Sequence, residues 1–531
     1  MTKKTSTLIL ALAVILQCAC MFYWASHKEY YYVDELYTFE YVQNINDHRD
    51  SIEHMDDCPL WRVEEWIPVK DLKTRFTIEE GESVFDLPAA LTVKKFFSDR
   101  NYMWIINALE TAFGNGEPPK WICICFNVIV WIIFQFLLFC LLAGCLGLDR
   151  RTSLLAVAMW GFSPLVLGLS VFCRFYSWTL LLFLVVLILH RLMWDSDSHW
   201  KNLAFEVLAF IALWLAFKNS ELILVLGGSF VFFFAAALFV RKRYNQAMYY
   251  SLPLIGGGLF LVWRNSSLLE VLLHPSRYTL WGNGAAARHA YYLMNTTFGD
   301  KAVSLLHSVK EFAESVPGSF ELTLAAVLLG AALFLAVRKG LKRRFDGFAL
   351  VLLGTAAVFW LFCGICGLIE TRYYSFLFLL AVILIWMAFD RLALSYHTPS
   401  IAFKVALCLV LAGALSTFYK RNIQYIYEGL EPYIEKIEEH KGVKAVVNYD
   451  PVHNYNNYYS TFVLDGSSSI YPICRSASDV DSIDLPDEFL YWSILNHPSP
   501  ETLKSIKKRG YSVDLLYKEG MELVYVCQKN E

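Results

Sequence analysis

The sequence predicts an all-α polytopic membrane protein of about eleven transmembrane helices, with surface helices in its first outer loop and a small α/β domain after the last span. Three observations predict it. Of 531 residues, 56% are hydrophobic and 16% aromatic, while only 18% are charged, against roughly a quarter in a soluble protein. Apolar runs such as "LILALAVILQCACMFYW", "WICICFNVIVWIIFQFLLFCLLAGCLGL" and "LILVLGGSFVFFFAAALFV" reach, or nearly reach, the length needed to cross a hydrocarbon core about 30 Å thick. After about residue 418 the apolar runs stop, and strand-like "VKAVVNY" and "ELVYVCQK" mix with helix-like "SPETLKSIKKRG". A net charge of −3 gives no footing for a nucleic-acid partner.

The first element is an uncleaved span. "MTKKTSTLILALAVILQCAC" resembles a signal peptide, or a lipoprotein signal ending near Cys18 or Cys20, but neither has a good cleavage context and the apolar run continues through Trp24. Further spans are expected at about 121–147, 152–170, 175–193, 203–217, 220–240, 247–263, 320–337, 347–369, 373–394 and 400–418, all helical because unpaired backbone cannot face lipid. Lys and Arg in the short connections orient them. One set of connections holds Lys3, Lys4, Arg150, Arg151, Arg191, Lys201, Arg241, Lys242, Arg243, the group from Arg338 to Arg344, and Arg391. The opposite turns hold only Arg174, Lys218 and Arg372. The N-terminus is therefore expected in the cytoplasm and the tail outside, in the plasma or inner membrane of a bacterium. The division is a membrane body over 1–418, with outer loops at 25–120 and 264–319, and an extracytoplasmic domain over 419–531.

The first outer loop spaces Phe85, Leu91 and Phe96 among charges, which suits helices lying along the bilayer surface. The second carries a probable helix near "KAVSLLHSVKEFAESV". Most of the 13 cysteines lie in apolar runs, where Cys behaves as a small hydrophobe. Cys58, Cys474 and Cys527 fall in polar segments, and a Cys58–Cys474 bridge is open in an oxidising compartment.

The chemistry gathers at the outer turns. "SVFCRFYSW" holds Arg174, "AFKNSELIL" holds Lys218 and Glu221, and "LIETRYYSF" holds Glu370 and Arg372. Snorkelling side chains at helix ends explain any one of these. All three oppose the charge bias of this face, and ionisable groups at a membrane edge are functional candidates. Three bases at that depth suit a lipid-linked phosphate, with Arg making bidentate and Lys point-charge contacts. "YYYVDELYTFEY" places Asp34 and Glu35 just after the first span. As a helix start, Asp34 is the N-cap and Glu35 lies in the first turn, but Tyr37 then occupies the place of a capping-box Glu or Gln. The tyrosines belong at a membrane–water boundary. Tyr176 and Tyr373 lie inside the charged turns and are further candidates for the same site.

Together, the Asp-Glu pair after the first span, "CRFYSWTLLLF", "FKNSELIL" and "ETRYYSFLFLL" resemble, in order and placement, the membrane glycosyltransferases of the GT-C fold. The pattern is similar to that of the protein O-mannosyltransferases and the bacterial lipid A aminoarabinose transferase. It covers about 1–395, in motifs of two to four residues each, and the tail adds nothing to it. The resemblance implies transfer of a sugar from a polyprenyl-phosphate donor to a glycan, lipid or protein acceptor, usually with inversion. Asp34 is then the general base, and a positioned carboxylate can take the acceptor's proton. The phosphate leaves already anionic, so it needs positive charge rather than a general acid. Arg174, Arg372 and Lys218 are the candidates for that charge. Glu35, Glu221 and Glu370 either orient these bases or bind sugar hydroxyls. No cofactor is required, although Asp34 with Glu35 is a carboxylate pair of the kind that holds Mg²⁺ or Mn²⁺. "WDSDS" (Asp195, Asp197) lies in a short inner loop with no room for a nucleotide-binding domain, and "DVDSID" in the tail reads as a solvated loop.

Two other functions stay open. A polysaccharide polymerase or ligase acting on a diphosphate-linked glycan favours bases in a late outer loop, where Arg277, Arg288 and Lys301 lie. A lipid-linked substrate transporter or flippase favours inverted repeats and charges at mid-membrane, whereas here the ionisable groups gather at one face.

Overall fold

The computed structural model describes residues 1–28, 31–43, 65–73, 101–114, 119–264, 296–315, 347–368, 370–395, 399–420, 423–426, 435–436, 439–449, 466–474, 480–494, 500–519 and 522–530. Its helices are α1 Lys3–Ser26, α2 Val33–Gln43, the short α3 Val69–Lys73, α4 Asn101–Phe113, α5 Lys120–Phe139, α6 Arg150–Gly161, α7 Pro164–Val171, α8 Tyr176–Asp195, α9 His199–Asn219, α10 Leu222–Val240, α11 Tyr244–Arg264, α12 Phe298–Ser315, α13 Gly347–Ile365, α14 Ser375–Ser395 and α15 Pro399–Lys420. A π-helical turn, Cys140–Cys145, extends α5.

By length and composition, six of these helices are able to cross a membrane: α1, α5 with its π turn, α8, α9, α10 and α13. A seventh is added if α6 and α7 count as one broken span. The expected spans at 247–263, 373–394 and 400–418 are helical too, as α11, α14 and α15, without adding to that number. The expected span at 320–337, Cys58, and the loop residues Phe85, Leu91, Phe96, Arg277 and Arg288 lie outside the described residues.

The expected single helix over 152–170 is instead two, bent by 54°. The sequence "GFSPLV" explains it. Ser163 accepts a hydrogen bond from Val166 N at 3.3 Å and caps α7, and Pro164 fills a first-turn position where a missing N–H costs nothing. Gly161 lets the break pack tightly, since a Cβ there would lie 2.1 Å from Gln17 Nε2. An aromatic stack crosses the bundle beside it. Trp160 stacks between Phe134 and Phe378, each with ring centroids at 5.2 Å. Helix interiors are not free of titratable groups: His190 of α8 is buried and bonded to Tyr250 Oη at 2.7 Å, and Glu206 lies within α9.

The connections sort to two ends. At one, Asp390 accepts from Asp149 N at 3.1 Å, Arg191 donates to Cys145 O at 3.0 Å, and Arg243 to Trp194 O at 3.2 Å. Asp195 and Asp197, the pair of "WDSDS", are salt-bridged there to Arg191 and Arg243, each at 3.1 Å. This basic end lies away from the end that carries Asp34.

The tail forms a mixed sheet of order β1-β3-β2-β4-β6-β5, with β2 Lys444–Tyr449, β3 Ser469–Cys474, β4 Glu488–Ile494, β5 Tyr511–Glu519 and β6 Glu522–Lys529. Strand β2 is central and parallel to both neighbours, so Ala445, Val446 and Val447 are buried consecutively rather than alternately. Helix α16, Pro500–Lys508, packs Ile506 into the core with Phe489, Tyr491 and Tyr511. Strand β1, Ile67–Pro68, comes from the first outer loop, and Ile67 pairs with Ile470. The sheet thus draws on both sides of the division expected at residue 418.

Candidate active site

Asp34 and Glu35 open α2, but not in the expected register. The helix begins at Val33, and Glu35 Oε2 reaches back to accept from Tyr32 N at 2.7 Å. Tyr32 is therefore the cap position and Glu35 supplies the returning half of a capping box. Asp34 is left inside the first turn, and its carboxylate faces outward to Arg372. Glu35 faces inward: it is fully buried and salt-bridged to Lys28 at 2.9 Å, with both side chains out of solvent. Its other oxygen accepts from Cys173 N at 2.7 Å. This carboxylate ties the end of α1, the start of α2 and the turn before α8.

That turn presents Arg174. Arg174 N donates to Phe172 O at 2.7 Å, a tight three-residue turn, and Asn127 of α5 holds the same carbonyl at 2.8 Å. The bend at Ser163–Pro164 aims α7 so that the turn meets α2. Arg174 Nη1 donates to Thr38 Oγ1 at 2.9 Å, one helical turn beyond Asp34, and Thr38 Oγ1 in turn bonds Asp34 O at 3.1 Å.

Arg372 comes from the far end of the chain. Gly367, at φ 68°, closes α13 with a bond from Leu368 N to Cys363 O at 2.9 Å, the six-to-one bond of a glycine C-cap. The chain then turns over Glu370 and Thr371, with Tyr373 N bonded to Glu370 O at 3.0 Å. Arg372 Nη1 lies 2.6 Å from Asp34 Oδ2, and Nη2 lies 2.5 Å from Glu370 Oε2. Its guanidinium faces the rings of Tyr32 at 5.3 Å and Tyr373 at 5.1 Å. Burial, opposed by Arg372, pushes the Tyr32 phenol up to about 12, so the ring stays neutral beneath the cation. Two residues 338 positions apart thus meet at one point.

The other candidates divide. Tyr176 is buried, parallel to Phe175 at 4.8 Å and edge-on to Tyr373 at 6.3 Å, so both tyrosines line this site. Glu370 is half exposed on Arg372. Lys218, at the end of α9, lies over Trp214 at 5.1 Å, and among the described residues no hydrogen bond or ion pair is seen from it or Glu221 to Asp34, Arg174 or Arg372. The sequence reading missed Lys28, Tyr32, Thr38 and Asn127. A lysine four residues after a span reads as a snorkelling group, and nothing local marks it as the partner of Glu35.

Asp34 is 23% exposed, whereas Arg174 and Arg372 are buried. Each arginine keeps a buried Nε with no hydrogen-bond partner among the described residues. Such a donor costs about 1–3 kcal/mol unless an acceptor arrives. The arrangement therefore has unsatisfied donors beside an accessible carboxylate, and can take an anion next to a proton acceptor.

No family model matches the sequence, and no curated protein matches it. Solved structures do. ArnT from Cupriavidus metallidurans, bound to undecaprenyl phosphate, has a TM-score of 0.51 at 12% identity, over 99% of this chain and 98% of that chain. The oligosaccharyltransferase of Archaeoglobus fulgidus, in complex with Zn and sulfate, has a TM-score of 0.46 at 14% identity, over 97% of this chain and 72% of that one. Its apo form gives 0.48 at 13% identity, over 97% and 73%. The likeness to ArnT is one of fold: the chain has the GT-C fold that its motif order led us to expect.

Proposed function

We propose that the chain is a membrane glycosyltransferase that moves a sugar from a polyprenyl-phosphate donor to an acceptor at the outer face, with inversion. The observation that carries this is the Asp34–Arg372 pair at 2.6 Å, flanked by Arg174 on Thr38 one turn along α2, with a spare buried donor on each guanidinium. The fold shared with a protein solved bound to undecaprenyl phosphate adds to it. The donor phosphate occupies the guanidinium groups of Arg372 and Arg174, and its lipid lies between helices. Asp34, released from Arg372, takes the acceptor's proton as the acceptor attacks the anomeric carbon. The C–O bond to phosphate breaks, and the departing charge falls on the two arginines. Glu35 orients: its oxygens accept from Lys28, Tyr32 and Cys173, and its full burial keeps it from sugar. Glu370, Tyr176 and Tyr373 contact sugar or acceptor, and Lys218 stands outside the first contacts. Arg372 supplies beside Asp34 the countercharge that Mg²⁺ or Mn²⁺ would otherwise bring. The N-terminus is cytoplasmic and the sheet extracytoplasmic, which follows from the lysines and arginines of the basic end.

Single-turnover transfer from a radiolabelled polyprenyl-phosphate sugar tests this. Asp34→Asn is expected to lose transfer by about 10²–10⁴-fold while still binding donor. Arg372→Ala is expected to lose donor binding as well. Undiminished turnover in Asp34→Asn would remove Asp34 from the mechanism.

A further inference from the structure

The tail returns to the site before it reaches the sheet. After α15 ends, residues 423–426 form a turn in which Ile423 and Ile426 are buried. Tyr425 has φ 68°, in the left-handed region that L side chains rarely adopt. Its ring stacks on Phe172 at 4.0 Å and 11°, and meets Tyr32 edge-on at 5.7 Å. Its carbonyl accepts from Lys28 Nζ at 2.5 Å, the ammonium that also pairs with Glu35. Gln424 Nε2 donates to Thr371 Oγ1 at 2.9 Å, next to Arg372. The carbonyl of Gln424 passes so close to Gly168 of α7 that a Cβ there would lie 3.2 Å away.

One short turn therefore touches all three segments of the site: Tyr32 and Lys28 beside Asp34, Phe172 beside Arg174, and Thr371 beside Arg372. A strained non-glycine residue persists only where its surroundings over-determine it. Here the surroundings are the site itself.

We propose that Tyr425 is a positioning residue, and that the turn at 423–426 locks the two arginine-bearing turns against α2 so that lipid-phosphate affinity depends on it. The inference rests on the lipid-phosphate site proposed above, and it makes the start of the tail part of that site. The ring holds Phe172, whose carbonyl fixes Arg174 N. The amide of Gln424 holds Thr371, and the backbone carbonyl keeps Lys28 on Glu35. Preorganised cations bind an anion with less ordering cost than mobile ones.

The test titrates undecaprenyl phosphate into the purified full-length protein and follows thermal unfolding in parallel. Tyr425→Phe keeps ring and carbonyl and is expected to bind as the wild type does. Tyr425→Gly relieves the left-handed backbone but deletes the ring. Its unfolding midpoint is expected to fall with the lost packing of the ring, while its dissociation constant, measured below that midpoint, rises about tenfold. Gln424→Ala, on an exposed residue, is expected to weaken binding several-fold at unchanged stability. Unchanged affinity in folded Tyr425→Gly, or an equal loss of affinity in Tyr425→Phe, overturns the positioning role. If Tyr425→Gly fails to fold, unchanged affinity in Gln424→Ala overturns it. A wild type that takes up no undecaprenyl phosphate contradicts the site itself, an outcome distinct from wild type and variants binding alike.

Discussion

Glu35 and Lys28 form an ion pair with no solvent on either side chain, and removing one partner leaves a buried charge uncompensated. Glu35→Ala is expected to cost about 3–5 kcal/mol, and Glu35→Leu with Lys28→Met to recover much of it, read as thermal unfolding midpoints in detergent. A single variant as stable as the wild type contradicts the pairing. Glu110 of α4 gives a pH test. Both its oxygens are buried without partners among the described residues, and burial pushes its carboxyl from 4.5 up to about 7. The folded chain holds this proton to higher pH than the unfolded chain. Its contribution to stability is therefore present at low pH and lost as pH rises through about 7. Glu110→Gln should unfold like the wild type at about pH 4 and later than it above about pH 8; a gap that does not widen with pH contradicts this. At this scale the sequence showed which residues carry charge where charge is costly, and so pointed to Asp34, Arg174 and Arg372. It did not show register: the helix cap lies at Tyr32 rather than Asp34, which turns Glu35 inward as a buried tie and rules out the sugar-binding alternative for it.

The elements that matter most are the broken ones. α6 and α7 were expected as one span because "MWGFSPLVLGL" is apolar throughout, yet Ser163–Pro164 carries a helix-start signal that hydropathy does not register. The resulting bend delivers the Arg174 turn to α2, and Asn127 fixes it by bonding Phe172 O at 2.8 Å. Asn127→Leu, similar in bulk, removes the side-chain donor from that carbonyl and, among the described residues, leaves only Arg174 N on it. Its kcat/KM is expected to fall about 10- to 100-fold, because small misplacements of a charged group are costly in catalysis. Full activity in that variant would mean that the turn is held elsewhere. Gly367 does the same service for Arg372, and "CGLIE" announces it: a glycine after an apolar helix is the ordinary signal for a left-handed cap.

Across the whole molecule the lysine and arginine asymmetry was legible, because it is a one-dimensional pattern of charge against span. The structure brings the connections of Asp149, Arg191, Arg243 and Asp390 to one end of the described helices and Asp34 with Arg372 to the other. Long-range pairing was not legible. Nothing in "WIPVK" announces that Ile67 pairs with Ile470, and nothing in "NIQYIY" announces that Tyr425 stacks on Phe172. Such contacts are chosen by the packing of distant segments and leave no local period. Three stretches separated by hundreds of residues therefore build one site, in which Arg372 is held by two carboxylates. In the proposed reaction the lipid phosphate displaces Asp34 from that guanidinium. The affinity of undecaprenyl phosphate for Asp34→Asn and for Arg372→Ala, measured against the wild type, tests this most directly. Asp34→Asn should bind as tightly as the wild type or more tightly, and Arg372→Ala about tenfold or more weakly. Weaker binding in Asp34→Asn, or unaltered binding in Arg372→Ala, would contradict a phosphate site built on this pair.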